Sequence, residues 1–253
     1  MTRFGEWLEN LKRFFSRKIS ETGYTCDGCG AEVFDYPQER LCEKCRSQMP
    51  KNDGSVCPKC GRKTVAEGVC LECKRLPPRF TRGVSSFVYR GSAAVLLNRL
   101  KNGERYLSFF FGEQMAGAWL RSRLETGDSL LLVVPVPLTE KSRKIRGYNQ
   151  SEALASVIAE KTGGVLKTDL LVKVKETRQQ KKLTREERRK NVAGAYKIAD
   201  REARSACKDR AILLIDDLMT TGATGDECAE VLFSAGAARV YFLTAAATAE
   251  RKL

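Results

Sequence analysis

Histidine is absent from all 253 residues. That removes Ser–His–Asp triads, His-ligated zinc and imidazole acid–base catalysis from consideration. Long apolar runs are missing as well, since no stretch approaches the roughly 20 residues a membrane helix needs. Glu6 and Glu9 interrupt the apolar residues at the N-terminus, so no secretory signal is expected and the chain reads as cytoplasmic. Neither a Walker-type Gly-Lys loop nor a Rossmann glycine fingerprint occurs, which sets aside the common nucleotide- and dinucleotide-binding loops. Acidic residues are in deficit: 31 Asp and Glu face 45 Lys and Arg, a formal charge of +14. Such an excess calls for acidic partners such as phosphates, nucleic acid or anionic lipid.

Cysteine is the residue in surplus. Of the ten, eight form four Cys-x-x-Cys pairs: Cys26/Cys29, Cys42/Cys45, Cys57/Cys60 and Cys70/Cys73. In a reducing compartment this pattern means metal rather than disulfides. Each turn presents two thiolates, and two turns complete a tetrahedral four-cysteine zinc site. Sequential pairing is favoured, the first four cysteines on one Zn2+ and the last four on another, with a cross-braced arrangement left open. Closed four-cysteine sites are structural, so redox and iron–sulfur readings are the weaker ones. Eight thiolates and two Zn2+ would bring the charge of +14 to about +10. Cys207 and Cys228 stand alone, and Cys228 falls on the apolar side of a helix with Val231 and Leu232.

A hydrophobic content of 42% is enough for one good-sized domain and one or two small modules. Three parts are expected: residues 1–24, an amphipathic helix over Met1–Ser20; 25–76, a double zinc ribbon; and 79–253, an α/β domain. Leu76-Pro77-Pro78 marks the boundary. The domain's expected strands are Val84–Tyr89, Leu130–Val136, Leu171–Lys175, Ala211–Ile215 and Val240–Ala245. Its expected helices are Ala93–Leu100, Leu107–Arg123, Ser151–Lys161 and Gly225–Ser234, with a charged helical turn over Thr184–Lys190. The alternation predicts a mostly parallel sheet with helices on both faces.

The most informative segment is Ala211–Thr224, AILLIDDLMTTGAT. A buried strand delivers Asp216 and Asp217 to its C-terminal edge, where open α/β sheets bind ligands, and carboxylates there can accept hydrogen bonds from vicinal hydroxyls. Thr220, Thr221, Gly222, Ala223 and Thr224 then offer backbone N–H groups, hydroxyls and a helix N-terminus to a phosphate. The segment resembles the phosphoribosyl pyrophosphate signature of type I phosphoribosyltransferases. A second strand end runs through Pro137 and Leu138 into Lys141, Arg143, Lys144, Arg146 and Gly147, a basic loop suited to pyrophosphate. Between the two lies Glu176–Asn191, read as a basic hood carrying Thr177, Arg178, Gln180 and Arg188. Leu171–Ile198 alone holds ten basic and three acidic residues, a net +7.

Taken with the zinc ribbon, further stretches are similar to the ComF competence/gluconate-utilisation family. They are Val134–Leu138, Arg146-Gly147-Tyr148-Asn149-Gln150, Thr177-x-x-Gln180-x-x-Leu183, Glu187-Arg188-x-x-Asn191-Val192 and Leu100-Lys101-x-Gly103. The resemblance implies a type I phosphoribosyltransferase fold after a zinc-ribbon module, binding of phosphoribosyl pyrophosphate with Mg2+, and handling of single-stranded DNA during natural transformation. Asp216 and Asp217 would hold the ribose, Thr220–Thr224 the 5-phosphate, and Lys101, Arg143, Arg146 and the hood the departing pyrophosphate of a pentosyl transfer. The competing reading is a single-stranded nucleic-acid-binding protein that keeps the fold without turnover, drawing on the hood, Arg82, Arg90, Arg99 and the ribbons. Residues 1–20 would pack on the zinc module or a partner such as the competence machinery, or attach to the membrane's inner face. No residue set names an acceptor.

Overall fold

The computed structural model describes residues 25–33, 40–127, 130–176 and 185–250. Met1–Ser20, Thr177, Arg178 and Gln180 lie outside them. By packing, the chain divides into two compact units, Met1–Met49 and Pro50–Leu253. The third and fourth Cys-x-x-Cys pairs pack into the larger unit.

The smaller unit holds the first four cysteines, with helix α1 (Glu43–Ser47) starting at Cys42, whose sulfur accepts from the Cys45 amide. In the larger unit, α2 (Leu71–Arg75) starts at Cys70 in the same way. Close backbone contact explains why these cysteines belong there. A Cβ on Gly61 would sit 2.3 Å from the Gly83 carbonyl oxygen, and one on Gly83 would sit 2.4 Å from that of Cys60. Glu250 adds a clasp, accepting from the amides of Val65 at 3.2 Å and Leu71 at 2.7 Å.

The rest of the unit alternates strand and helix. In order come β1 (Arg82–Val88), α3 (Gly91–Lys101), α4 (Leu107–Ser122), β2 (Leu132–Pro135), α5 (Glu140–Arg146), α6 (Gln150–Thr162), β3 (Val165–Leu166), β4 (Leu171–Lys173), α7 (Arg185–Val192), β5 (Tyr196–Ile198), α8 (Arg201–Cys207), β6 (Ala211–Met219), α9 (Ala223–Ser234) and β7 (Arg239–Ala247). Five strands form a parallel sheet in the order β1-β7-β6-β2-β3, while β4 and β5 make an antiparallel pair. The apolar runs of β2, β6 and β7 are buried nearly throughout, as strands covered on both faces must be. Leu132, Val134, Ile212, Leu214, Val240 and Phe242 cluster with Cys228, Ala229 and Leu232 of α9. Val133, Leu213 and Ile215 alternate to the other face, where α6 packs on β2, β6 and α4.

Three departures from the sequence expectations have local causes. The basic stretch after β2 is a helix, α5, not a loop. Thr139 caps it, its Oγ1 accepting from the Ser142 amide at 3.2 Å, and Gly147 ends it at φ +77°. β6 runs four residues beyond the expected Ile215, because β7 keeps pairing with it as far as Met219↔Ala247. Short β3, β5 and α8 were too brief to show a period.

The helices that follow β2 and β6 leave to opposite faces, α6 to one and α9 to the other. A crevice therefore opens at the C-terminal ends of these adjacent strands, the topological switch point where ligands bind such sheets.

Gly61→Ala is expected to cost about 2 kcal/mol or more, since its Cβ meets backbone and its φ is +71°. Denaturant unfolding of the full chain, followed by near-ultraviolet circular dichroism, would show it; an unchanged midpoint would refute the close-packing account.

Candidate functional site

β2 and β6 stay in register only to Pro135↔Ile215. Beyond that pair β2 turns away, after a last bond from the Val136 amide to the Ile215 carbonyl at 2.9 Å. Asp216 and Asp217 are the next two residues of β6, so both stand at the crevice. Asp216 Oδ1 accepts from Ser151 Oγ at 3.0 Å and from the Asp217 amide at 2.9 Å. Asp217 Oδ2 lies 3.1 Å from Lys101 Nζ, a charge contact. It is a buried oxygen without an aligned hydrogen-bond donor among the described residues.

Burial, reinforced by the neighbouring Asp217 charge, pushes the Asp216 carboxyl up to about 7. Burial alone would lower Lys101, but the charges of Asp217 and Asp216 outweigh it and hold the ammonium above its usual range. On β4, burial pulls Lys173 down against the pull of Asp216 and Glu176. Its Nζ lies 5.5 Å from the centre of the Tyr196 ring on β5.

The Thr220–Thr224 turn follows β6. Gly222 adopts φ +83° and leads into α9 without a side chain of its own to cap the helix. Thr221 Oγ1 accepts from the Ala223 amide at 3.3 Å. The amides at this helix start and the positive end of its dipole are the donors a phosphate needs. The turn is anchored from behind: the Thr220 carbonyl accepts from Arg62 Nη2 at 3.0 Å and from Thr248 Oγ1 at 3.1 Å.

On the β2 side, Pro137 and Leu138 lead into α5. Asn149 holds this corner, its Nδ2 donating to the Val136 carbonyl at 3.1 Å and its Oδ1 accepting from the Ser151 amide at 3.0 Å. Tyr148 donates its hydroxyl to the Leu100 carbonyl, which fixes the end of α3 and hence Lys101. Arg146 bonds Gln150 at 3.0 Å. Arg143 is 60% exposed and paired with Glu152 at 3.1 Å, so it faces solvent rather than the acid pair. A cavity of about 680 Å³ opens between α5 and β4, lined by Thr139, Lys141, Lys144, Lys173 and Glu176 among others. The hood residue Arg188 sits on α7 by its backbone alone. Arg99 of the nucleic-acid reading is tied to Glu104 at 2.6 Å.

Asp216, Asp217 and Lys101 thus converge. Ser151 was missed, although Asn149 as a helix N-cap after a strand end was its signal. Arg62 had none, lying 158 residues from the carbonyl it holds.

The cysteines divide sequentially, Cys26, Cys29, Cys42 and Cys45 in one cluster and Cys57, Cys60, Cys70 and Cys73 in the other. Tetrahedral Zn–S bonds of about 2.3 Å place sulfurs about 3.8 Å apart. Cys29 and Cys42 stand at 3.8 Å, Cys60 and Cys70 at 3.7 Å. Backbone amides point at Cys26, Cys42, Cys57 and Cys70, as thiolates require. Both sets fit Zn2+.

Residues 22–74 match the double zinc ribbon domain. The chain is 28% identical over 209 residues to Competence protein ComFC of Bacillus subtilis, covering 80% of this chain and 81% of that protein. Against DNA utilization protein YhgH of Escherichia coli O157:H7 it is 27% identical over 203 residues, 79% and 87% of the two chains. Glutamine phosphoribosylpyrophosphate amidotransferase from B. subtilis aligns at a TM-score of 0.35 and 18% identity, over 55% of this chain and 26% of that one, so the chain spans about a quarter of that enzyme. A double zinc ribbon ahead of a mostly parallel α/β sheet is the class to which the protein belongs. Over about four fifths of its length the chain is similar to these competence and DNA utilization proteins.

The Asp216 carboxyl keeps its proton in the fold to about pH 7 but ionises near 3.8 when unfolded. Folding is therefore opposed increasingly as pH rises from 4 toward 7, and the penalty is constant above. Asp216→Asn should raise the melting temperature by about 3 °C or more at pH 8, with a smaller gain at pH 5. An equal gain at both would contradict the raised carboxyl.

Proposed function

We propose that the crevice binds phosphoribosyl pyrophosphate with Mg2+ and transfers the ribosyl group to an acceptor. The bond from C1 to pyrophosphate oxygen breaks, and one from C1 to the acceptor's nucleophilic atom forms. The observation that carries this reading is the Asp216–Asp217 pair at the end of β6, with Lys101 3.1 Å from Asp217, beside a helix start whose cap residue has no side chain. In this reading Asp216 and Asp217 accept from the ribose hydroxyls while the Thr221–Thr224 amides hold the 5-phosphate. Lys101 stays protonated between the acids and offsets charge as pyrophosphate departs. Mg2+ would supply neutralisation of the pyrophosphate oxygens, and an oxygen-rich acid pair suits a hard cation. Little acid–base chemistry is needed, so a protein without histidine is adequate to the task.

The names of the relatives, a competence protein and a DNA utilization protein, support a role in handling DNA, and in this reading the DNA is single-stranded and the role cytoplasmic. No described helix is long and apolar enough to cross a membrane. Lys141, Lys144 and Lys173 around the 680 Å³ cavity favour a polyanion on the acceptor side.

Titration calorimetry of the full chain with phosphoribosyl pyrophosphate and Mg2+ should give a Kd in the micromolar range, weakened about tenfold or more by Asp217→Asn. Affinity should rise as pH passes from 6 to 8, because Asp216 must be ionised to accept hydroxyl protons. Absence of binding heat, together with steeply salt-dependent binding of single-stranded oligonucleotides, would replace this reading with the non-catalytic nucleic-acid one.

A further inference from the structure

Arg62 is the largest of the fully buried side chains, 2% exposed, in the turn between Cys60 and α2. A guanidinium taken that far from water must have its charge and N–H groups met by partners. Three different ones meet it. Nε donates to Cys60 Sγ at 3.3 Å. Nη1 pairs with Glu72 at 2.6 Å, a residue of α2 two positions beyond the ligand Cys70. Nη2 donates to the Thr220 carbonyl at 3.0 Å. One planar fork thus spans a cysteine of the second metal site, the helix carrying two more of its cysteines, and the first residue of the phosphate turn.

We infer that Arg62 is a positioning residue that couples the Cys57/Cys60/Cys70/Cys73 metal site to the Thr220–Thr224 turn, so that metal occupancy presets the amides offered to a phosphate. The charge balance favours this link. A zinc ion held by four thiolates carries a net charge of about −2, and with Glu72 it fixes the guanidinium on the cysteine side. The fork is rigid, so its third donor is then aimed at one point, the carbonyl of Thr220. Holding that carbonyl fixes the plane of the peptide that also carries the Thr221 N–H, the first amide of the turn. Thr248 supplies the second bond to the same carbonyl and limits its remaining freedom to rotation about that pair. Without metal, repulsion among the thiolates loosens Cys60 and α2, and the anchor of Arg62 loosens with them. Coupling between two sites is reciprocal, so a phosphate seated on the turn must also slow metal loss. The first cluster of four cysteines lies in the other compact unit, which makes it an internal control.

Ligand specificity rests on the proposed function, but the coupling itself does not. It is tested first without ligand, by amide hydrogen exchange of the full zinc-loaded chain. Arg62→Lys and Arg62→Ala should both speed exchange at Thr221–Thr224 by about tenfold, leaving Leu243 in the centre of β7 unchanged. Removing zinc from the wild type with a chelator should speed the turn by a similar factor, and should add little in Arg62→Ala. Unchanged exchange in the variants overturns the inference. So does a chelator effect of equal size in wild type and Arg62→Ala. Should Arg62→Ala not fold, Arg62→Lys and Glu72→Gln carry the same comparison, with β7 exchange as the folding control. A second arm follows zinc transfer to a colorimetric chelator with and without phosphoribosyl pyrophosphate and Mg2+. One of two zinc equivalents should be lost several-fold more slowly with ligand, in wild type only. Loss of protection in this arm with intact exchange coupling would fault the choice of ligand. Ligand binding shown by calorimetry with no zinc protection would fault the coupling.

Discussion

β6 continues past its last pairing with β2 while β7 follows it to the end, and this inequality of strand lengths makes the crevice. Had β2 continued alongside, its backbone would cover the β6 edge at Asp216, and the acid pair would be sealed within the sheet. Instead the ladder on that side ends with the bond from the Val136 amide to the Ile215 carbonyl. The chain turns through Pro137 and Leu138 into α5, then back through Asn149 to α6. The Asn149 side chain ties the turn to the Val136 carbonyl, and its helix neighbour Ser151 reaches Asp216. The same stretch of chain that departs from the sheet thus returns to supply the first partner of that acid.

Two adjacent carboxylates next to a phosphate turn would repel an anionic ligand unless their charge were moderated. The structure moderates it in two ways. Asp216, drawn up to about 7 by burial and by Asp217, carries only part of its charge near neutrality. Asp217 Oδ2 is paired with Lys101 Nζ at 3.1 Å. Lys173, on the antiparallel β4–β5 pair, lies near enough to feel the Asp216 charge. The arrangement is therefore close to neutral when empty, and a ligand bearing both hydroxyls and phosphates meets donors and acceptors in separate places. A simple anion sink would have dispensed with the acids; a simple metal cage would have lacked the lysines.

Much of this was legible in the sequence because its causes are local. Ile212–Ile215 announces a buried strand, the two acids mark its end, and a Thr-Thr-Gly turn can scarcely lead anywhere but into a helix. The four Cys-x-x-Cys turns likewise fix zinc by geometry within a few residues, and the sequential pairing is the one found. What failed to show was either too short or too distant. β3 has two residues and β5 three, below any period. Glu140–Arg146 reads as a basic loop by composition, yet it is a helix because Thr139 and Gly147 cap it. Gly61 and Gly83 press backbone to backbone, a contact between residues that no spacing rule connects. Arg62 and Thr220 belong to the same class of invisible fact.

That last pairing also bears on why a charge is buried where an apolar side chain would fit. Cys60, to which Arg62 donates, belongs with Phe80, Phe242 and the rest of the second set of cysteines to one core cluster. Replacing a buried ion pair by well-packed apolar residues is often neutral or stabilising, so stability alone gives the guanidinium little reason to be there. An apolar residue, however, would leave the Thr220 carbonyl with the Thr248 hydroxyl, and a hydroxyl that rotates sets direction poorly. A Lys would reach one partner well and the others badly, since its donors do not lie in a plane. Only a planar fork answers to a thiolate, a carboxylate and a carbonyl at once. The geometry is that of a part made to orient, and what it orients is the first peptide of the turn on which the site depends.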